Sequence, residues 1–300
     1  MDYLRKQQIS GWLAVALSTA LACFWALWGI IENFHEGWFH ESFYSNLGLM
    51  FVQYLSPMLI VVALSVLSLH FPRAGSVTFA TSGLLLPVFL KQLTLPIMLL
   101  ITTPLVVLGG LYWLGRARPR KAASIVIVGL PLLTLVVCGV GPALRVAGRV
   151  DDGNLQTRLV EGNSVRLIWA SEGEGWPREG VNWHEALHRC QYLESDGRAL
   201  ADVPQNIWRL PTVEEAVRSM ARHGVNSGGV WDSQKGTASY QSTPDKESPL
   251  WNVHSQVIYW WTATEVDDGH AYIIVYDGKA WPRQKAIRPA YLGFRCVKSP

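Results

Sequence analysis

Apolar residues dominate this chain from Trp12 to Leu114, resume from Ala122 to Ala143, and then give way to mixed, alternating sequence. A bilayer core of about 30 Å takes roughly twenty helical residues, and five runs approach that length: 12–31, 47–69, 74–90, 93–114 and 122–143. The third holds Pro87 and is parted from the fourth only by Lys91 and Gln92, so it reads either as a full span or as a re-entrant hairpin. The first run follows Arg5 and Lys6 and contains Ala20-Leu21-Ala22-Cys23, a distant likeness of a lipoprotein signal. A cleavable apolar core is about 7 to 15 residues. Here the apolar character continues through Phe24, Trp25 and Trp28 to Ile31, so the run is read as an uncleaved helix. The pattern predicts a transmembrane domain over 1–148 and a second domain over 149–300.

In that second half the periods are those of a globular α+β domain. Ser164–Ala170 alternates as a strand. Asn182 followed by Glu185 marks a helix start, and Trp183, Ala186, Leu187, Cys190 and Leu193 recur on one helical face until Gly197. Thr212 with Glu215 opens a second helix, which should stop at Gly224. The stretch from there to Trp251 is rich in Gly, Ser, Thr, Asp and Pro and reads as a long surface loop. Aromatic and β-branched strands follow at 259–264, 271–276, 279–285 and 292–297, with Asp277-Gly278 as a hairpin turn, and together they predict an antiparallel sheet.

Charge divides the chain the same way. Residues 1–150 carry ten Lys and Arg against four Asp and Glu, and residues 151–300 carry sixteen against nineteen. Basic residues confined to short loops between apolar runs report topology, because Lys and Arg are retained on the cytoplasmic side; no basic stripe suits nucleic acid. With five spans, Arg5, Lys6, Arg73 and the cluster Arg116, Arg118, Arg120 and Lys121 lie inside, while the first loop, with Glu36 and Glu41, and a minimal turn holding Lys91 lie outside. The expected place is thus a bacterial cytoplasmic membrane, with the N-terminus in the cytoplasm and the C-terminal domain periplasmic or extracellular. Trp12, Trp38 and Trp113 suit the interfaces. The first, second and fifth runs contain no Asp, Glu, Lys, Arg or His, which speaks against an ion pathway.

Three strings in the soluble half carry a resemblance: Trp208-Arg209-Leu210-Pro211-Thr212 with Glu215, then Tyr259-Trp260-Trp261-Thr262-Ala263-Thr264, then Gly293-Phe294-Arg295-Cys296-Val297. Over residues 160–298 the chain resembles the collagen-like-protein C-terminal domain family, which is similar to the formylglycine-generating enzyme and sulfatase-modifying-factor group. The resemblance implies a C-type-lectin-like fold. That enzyme group works through a copper-holding cysteine pair, which this chain does not match. Read by itself, the Arg209–Thr212 string is a strand-to-helix corner.

The cysteines bear on compartment. Cys23 and Cys138 lie in apolar runs and read as packed hydrophobes. Cys190 and Cys296 sit on framework elements and would form a disulfide in an oxidising compartment, or remain two free thiols in a reducing one. His184 and His188 are spaced i, i+4 but have no companion to complete a zinc site. Calcium is the one cofactor with candidate ligands, Glu265, Asp267 and Asp268, which equally suit an exposed turn. The expected function is non-catalytic recognition of a carbohydrate or protein ligand through Trp251, Trp260, Trp261, His270, Tyr272, Trp281 and Arg283. Alternation sends Trp260 and Trp261 to opposite faces, so at least one belongs to the core. The rival classes are a structural subunit with partners in a membrane complex, a divergent formylglycine-generating-type enzyme, and a sensor.

Overall fold

The computed structural model describes residues 2–89, 91 and 94–300. The chain divides into two compact units, Met1–Trp38 with Tyr44–Leu144, and Phe39–Phe43 with Arg145–Pro300.

The first unit is helical. Helix α1 (Asp2–His35) buries a face of mostly small residues, among them Gly11, Ala14, Ser18, Ala22, Ala26 and Gly29. Small side chains let backbones approach closely: a Cβ added at Gly11 would lie 2.2 Å from the Ala117 nitrogen, and one at Gly29 would lie 2.4 Å from the Tyr54 oxygen. Helix α2 (Phe43–Leu49) runs into a π-helical turn (Met50–Tyr54) and then α3 (Ser56–His70), with a 60° bend between them. The bend has a local cause. The Leu55 N–H reaches five residues back to the Met50 carbonyl, at 2.9 Å, and Pro57 removes a donor immediately after. Helix α4 (Pro72–Phe89) packs along α6 (Thr103–Leu114), which follows the short α5 (Leu95–Ile97) and a second π-helical turn (Met98–Thr102). Helix α7 (Arg120–Ala147) is 28 residues long.

Among the described residues, α1 and α7 are each long and apolar enough to cross a membrane, and the bent pair Phe43–Tyr54 with Ser56–His70 makes a third if it is one span. The run expected at 47–69 is therefore bent, and the one at 93–114 is broken into α5, a π turn and α6. Leu90, the end of the third expected run, and Leu93, the start of the fourth, lie outside the described residues.

The second unit is α+β. A hairpin of β1 (Arg158–Gly162) and β2 (Val165–Trp169) leads to α8 (Trp183–Tyr192) and α9 (Val213–Ser219). Both helices start where expected. The Glu185 N–H donates to Asn182 Oδ1 at 2.9 Å. At α9 the box is reciprocal: the Glu215 N–H donates to Thr212 Oγ1 at 3.1 Å, and the Thr212 N–H donates to Glu215 Oε2 at 2.8 Å. Both also end early. Helix α9 stops at Ser219, whose hydroxyl bonds back to the Glu215 carbonyl, and the chain turns at once into β3 (Ala221–Arg222). β3 thus lies in the stretch expected to be helix, and the segment beyond Gly224, expected to be a long surface loop, contains β4 (Val225–Asn226), β5 (Val230–Asp232) and β6 (Thr237–Ser239), with β3–β4 and β5–β6 forming two small hairpins.

Four later strands form the main sheet: β7 (Tyr259–Glu265), β8 (His270–Val275), β9 (Ala280–Gln284) and β10 (Leu292–Gly293), in the order β10-β7-β8-β9. Asp277-Gly278 supplies the β8–β9 turn, with Gly278 at φ +87°. Two details depart from expectation. β10 pairs with β7 in parallel, and the last expected strand is divided, its end becoming β11 (Val297–Lys298) beside β2 in a separate three-stranded sheet.

Side chains on the two faces of β7 enter two different cores. Trp260 packs with Trp169, Trp176, Trp251 and Ile274, whereas Trp261 packs with Trp183, Trp208, Ile273 and Phe294. In the second core Cys190 on α8 is bonded to Cys296 across a sequence separation of 106 residues. Closing so long a loop restricts the unfolded chain. Replacing both cysteines by serine should lower stability by about 2–4 kcal/mol, read as a fall in the thermal unfolding midpoint of the C-terminal unit relative to the unreduced native chain.

Candidate functional site

The seven residues expected to recognise a ligand do not form one surface. Trp251, Trp260 and Trp261 are 3%, 0% and 0% exposed, so they are core residues and correct that part of the expectation. Trp251 and Trp260 stack at 3.7 Å between ring centroids, and the Trp261 indole N–H donates to the Val181 carbonyl at 2.8 Å. Alternation requires at least one buried tryptophan at 260–261. Both are buried because the sheet is covered on each face.

Strand register then separates the other four. His270 pairs with Gln284 and Tyr272 with Pro282, while Ala271 pairs with Arg283 and Ile273 with Trp281. His270 and Tyr272 thus share one face, and Trp281 and Arg283 share the other. On the first face the Tyr272 ring meets Trp231 edge-on at 5.2 Å, and His270 Nδ1 lies 2.9 Å from Asp267 Oδ1. On the second face three rings gather. Tyr259 touches Trp281 edge-on at 5.7 Å and Tyr291 at 5.3 Å, and the Arg283 guanidinium lies 5.8 Å from the Trp281 ring centroid. Tyr259 and Trp281 are half-buried, and Tyr291 and Arg283 are exposed. Tyr259 and Tyr291 were not singled out from sequence. Tyr291 lies just ahead of a strand, and only the parallel β10–β7 pairing brings it beside Tyr259.

The proposed calcium ligands are engaged by an internal cation. Lys285, whose side chain is 4% exposed, ion-pairs with Glu265 and donates to the carbonyls of Asp267 (2.8 Å) and Asp268 (3.1 Å). The Asp267 carboxylate turns instead to His270 and the Gly269 N–H. Among the described residues no group of three or more His, Cys, Asp or Glu is placed to hold a metal ion. His184 and His188 lie against Trp183 and Tyr192 respectively.

A cleft of about 460 Å³ opens beside β2 and the first turn of α9. Its charges are satisfied internally: Arg209 grips Glu215 with two bonds of 2.7 and 2.6 Å, Arg218 pairs with Glu214 at 2.8 Å, and Arg166 pairs with Glu161. The Arg209 pair braces the strand-to-helix corner, the structural role the sequence suggests.

Sequence reasoning missed a buried charged segment inside the expected surface loop. Asp245, Lys246 and Glu247 are each 1% exposed. Asp245 accepts from Arg145 at 2.7 Å, Arg149 at 3.0 Å and Arg222 at 2.8 Å. Burial pushes its carboxyl up, but Arg149 and Arg145 outweigh that and hold it below the usual carboxylate range. Glu247 accepts from the N–H groups of Val150 and His223. Residues 145–152 are thereby fastened to 244–248 by charge-assisted bonds. The cue in the sequence was a run of three charges beside Pro244 and Pro249, which suits solvent equally well. Arg295 was missed as well. Fully buried, it donates to the carbonyls of Ala170 (2.8 Å) and Leu250 (2.5 Å) and stacks 3.7 Å from the Trp176 centroid.

No family model, curated protein or solved structure matches this chain.

Lys246 yields a test of the buried segment. Its ammonium donates to the Ser255 carbonyl, and burial, then Arg149, push it down to about 7, with Asp245 opposing. The folded pKa lies below the unfolded value, so the unfolded chain binds the extra proton between about pH 7 and 10.5. Stability from this group should be lowest below pH 7 and rise toward pH 10 by about 1.4 kcal/mol per unit at most. In Lys246→Met that part of the slope should vanish, as thermal unfolding across pH 6.5–9.5 would read.

Proposed function

We propose that the chain is a membrane-anchored recognition protein whose C-terminal unit binds a carbohydrate or protein ligand outside the cytoplasm. The observation that carries this reading is the Tyr259–Trp281–Tyr291 group with Arg283 over one ring. Exposed aromatic rings supply area to stack on a sugar or an apolar side chain, and an exposed guanidinium gives such a surface polar direction. Among the residues named from sequence, Trp281 and Arg283 are the pair on this face.

The anchor is read as five membrane passes, with α1 and α7 as first and last and the bent and broken helices between them as the others. Four basic residues, Arg116 and Arg118 just ahead of α7 and Arg120 and Lys121 as its first two residues, stand at one end, and two, Arg145 in its last turn and Arg149 just beyond, at the other, a bias that favours a cytoplasmic start for α7 and an outward C-terminal unit. The disulfide supports the same side, since such bonds persist in oxidising compartments. The lectin-like, formylglycine-generating-type resemblance of residues 160–298 agrees with a binding role. Neither cysteine of that half is free, which favours recognition over the thiol chemistry of those enzymes.

The test uses the full chain in mild detergent, screened against immobilised glycans and against surface peptides. The native protein should retain a ligand; Arg283→Ala, at an exposed position, should weaken it by about 5- to 10-fold without moving the unfolding midpoint, and adding Trp281→Ala should bring the loss to about 10- to 100-fold with a lower midpoint, because Trp281 also packs against the core. Binding that is indifferent to both substitutions would remove this face from the account.

A further inference from the structure

At one end of the helical unit the chain gathers six cations that, among the described residues, form no ion pair, with Asp2 as the one carboxylate in the first turn of α1. The turn 115–119 lies against the start of α1: the Arg116 N–H donates to the Gln7 carbonyl at 2.8 Å, and the Arg118 carbonyl accepts from the Trp12 indole at 3.1 Å and from the Gln8 amide at 3.3 Å. Arg5 and Lys6 on α1 are thus brought to the same end as Arg116, Arg118, Arg120 and Lys121. Among the described residues none of these six forms an ion pair with Asp or Glu. The contrast with the second unit is sharp, because there the arginines at 145, 149, 158, 166, 178, 189, 209, 218, 222 and 288 are paired.

A groove of about 460 Å³ runs along α1 beside these charges, lined by Arg5, Gln8, Ile9, Trp12 and Leu13. Its chemistry changes along its length. Arg5 and Gln8 offer donors at one end, while Ile9 and Leu13, 52% and 54% exposed, offer apolar surface. Trp12 lines the same groove, with its N–H already engaged. A phospholipid has the same sequence of parts, an anionic phosphate, a glycerol level and an acyl chain, and basic residues near a membrane surface attract anionic lipid.

We infer that the α1 groove and the basic turn 116–121 form a binding site for an anionic phospholipid of the leaflet on that side. The inference rests on the membrane reading of the helical unit but not on what the C-terminal unit recognises. Arg5 and Arg118 meet the phosphate, Trp12 sits at the glycerol level, and Ile9 and Leu13 contact the first acyl carbons. Free phosphate lacks the apolar part and should bind far more weakly.

The full chain in detergent is given equal amounts of phosphatidylglycerol and phosphatidylcholine, and the lipids carried with it are counted by native mass spectrometry. Phosphatidylglycerol should be retained about tenfold or more over phosphatidylcholine, and millimolar inorganic phosphate should not displace it. Arg5→Gln with Arg118→Gln should cut that preference by about fivefold for each charge removed. Lys91→Gln, which removes an exposed charge from the α4–α5 connection, should leave it unchanged. Both arginines are exposed and unpaired, so the variant is expected to fold, and the native retention ratio decides the matter without it. Equal retention of the two lipids, displacement by inorganic phosphate, or an equal loss in Lys91→Gln would overturn the site.

Discussion

Apolar surface that no protein group covers is the constraint on which the helical unit depends. Leu13, Leu17, Phe24, Trp28, Leu84, Leu86, Val106, Ile125, Leu132, Val136 and Val140 all face outward, and water would penalise each of them. A bilayer would remove that penalty and would admit only helical chain there, since it allows no unpaired backbone group; α1 and α7 have the length and apolar character to cross one. The inner faces follow from the same demand. Beside lipid as apolar as leucine, helices would gain by close contact rather than by hiding from water, in keeping with an α1 that buries mostly small residues, Gly11, Ala14, Ser18, Ala22 and Ala26, together with Val15 and Ile30, while Leu13, Leu17, Phe24 and Trp28 turn outward.

The C-terminal unit answers the opposite solvent. It hides tryptophans on both faces of one sheet and buries charge only with partners. Asp245 lies among three guanidinium groups, Lys285 faces Glu265 and two carbonyls, and Arg295 is held by backbone oxygens and a tryptophan face. A buried charge without such company costs several kcal/mol. The Cys190–Cys296 bond joins α8 to the segment between β10 and β11, so the last strands are covalently tied to the first helix of the domain. Partly open aromatic rings remain on both faces of the main sheet, Tyr259, Trp281 and Tyr291 on one and Trp231 with Tyr272 on the other.

Local rules were legible where a few neighbouring residues decide the outcome. The caps at Asn182 and Thr212, the turn at Asp277-Gly278 and the apolar lengths of α1 and α7 all depend on short-range pattern. What the sequence concealed was set by distant partners. Alternation assigns Trp260 and Trp261 to opposite faces but does not say that both faces are covered. Composition places Asp245, Lys246 and Glu247 at the surface, and partners set elsewhere in the sequence make their burial tolerable: Arg145, Arg149 and Arg222 for Asp245, the Ser255 carbonyl for Lys246, and the Val150 and His223 N–H groups for Glu247. The parallel β10–β7 pairing likewise required residues 30 or more apart to meet, and it created the Tyr259–Tyr291 contact that sequence reading did not contain. The bend before α3 arises from a π-helical turn that leaves no mark on hydropathy.

The side of the membrane on which the C-terminal unit folds is the point most open to direct measurement. Lys235 projects from the β5–β6 turn with its side chain 77% exposed, so a Lys235→Cys variant in a background lacking Cys23 and Cys138 presents one accessible thiol. A maleimide that cannot cross membranes should label it in intact spheroplasts as fully as after lysis. Labelling that appears only once the cells are broken would place the unit in the cytoplasm and contradict an outward-facing recognition role.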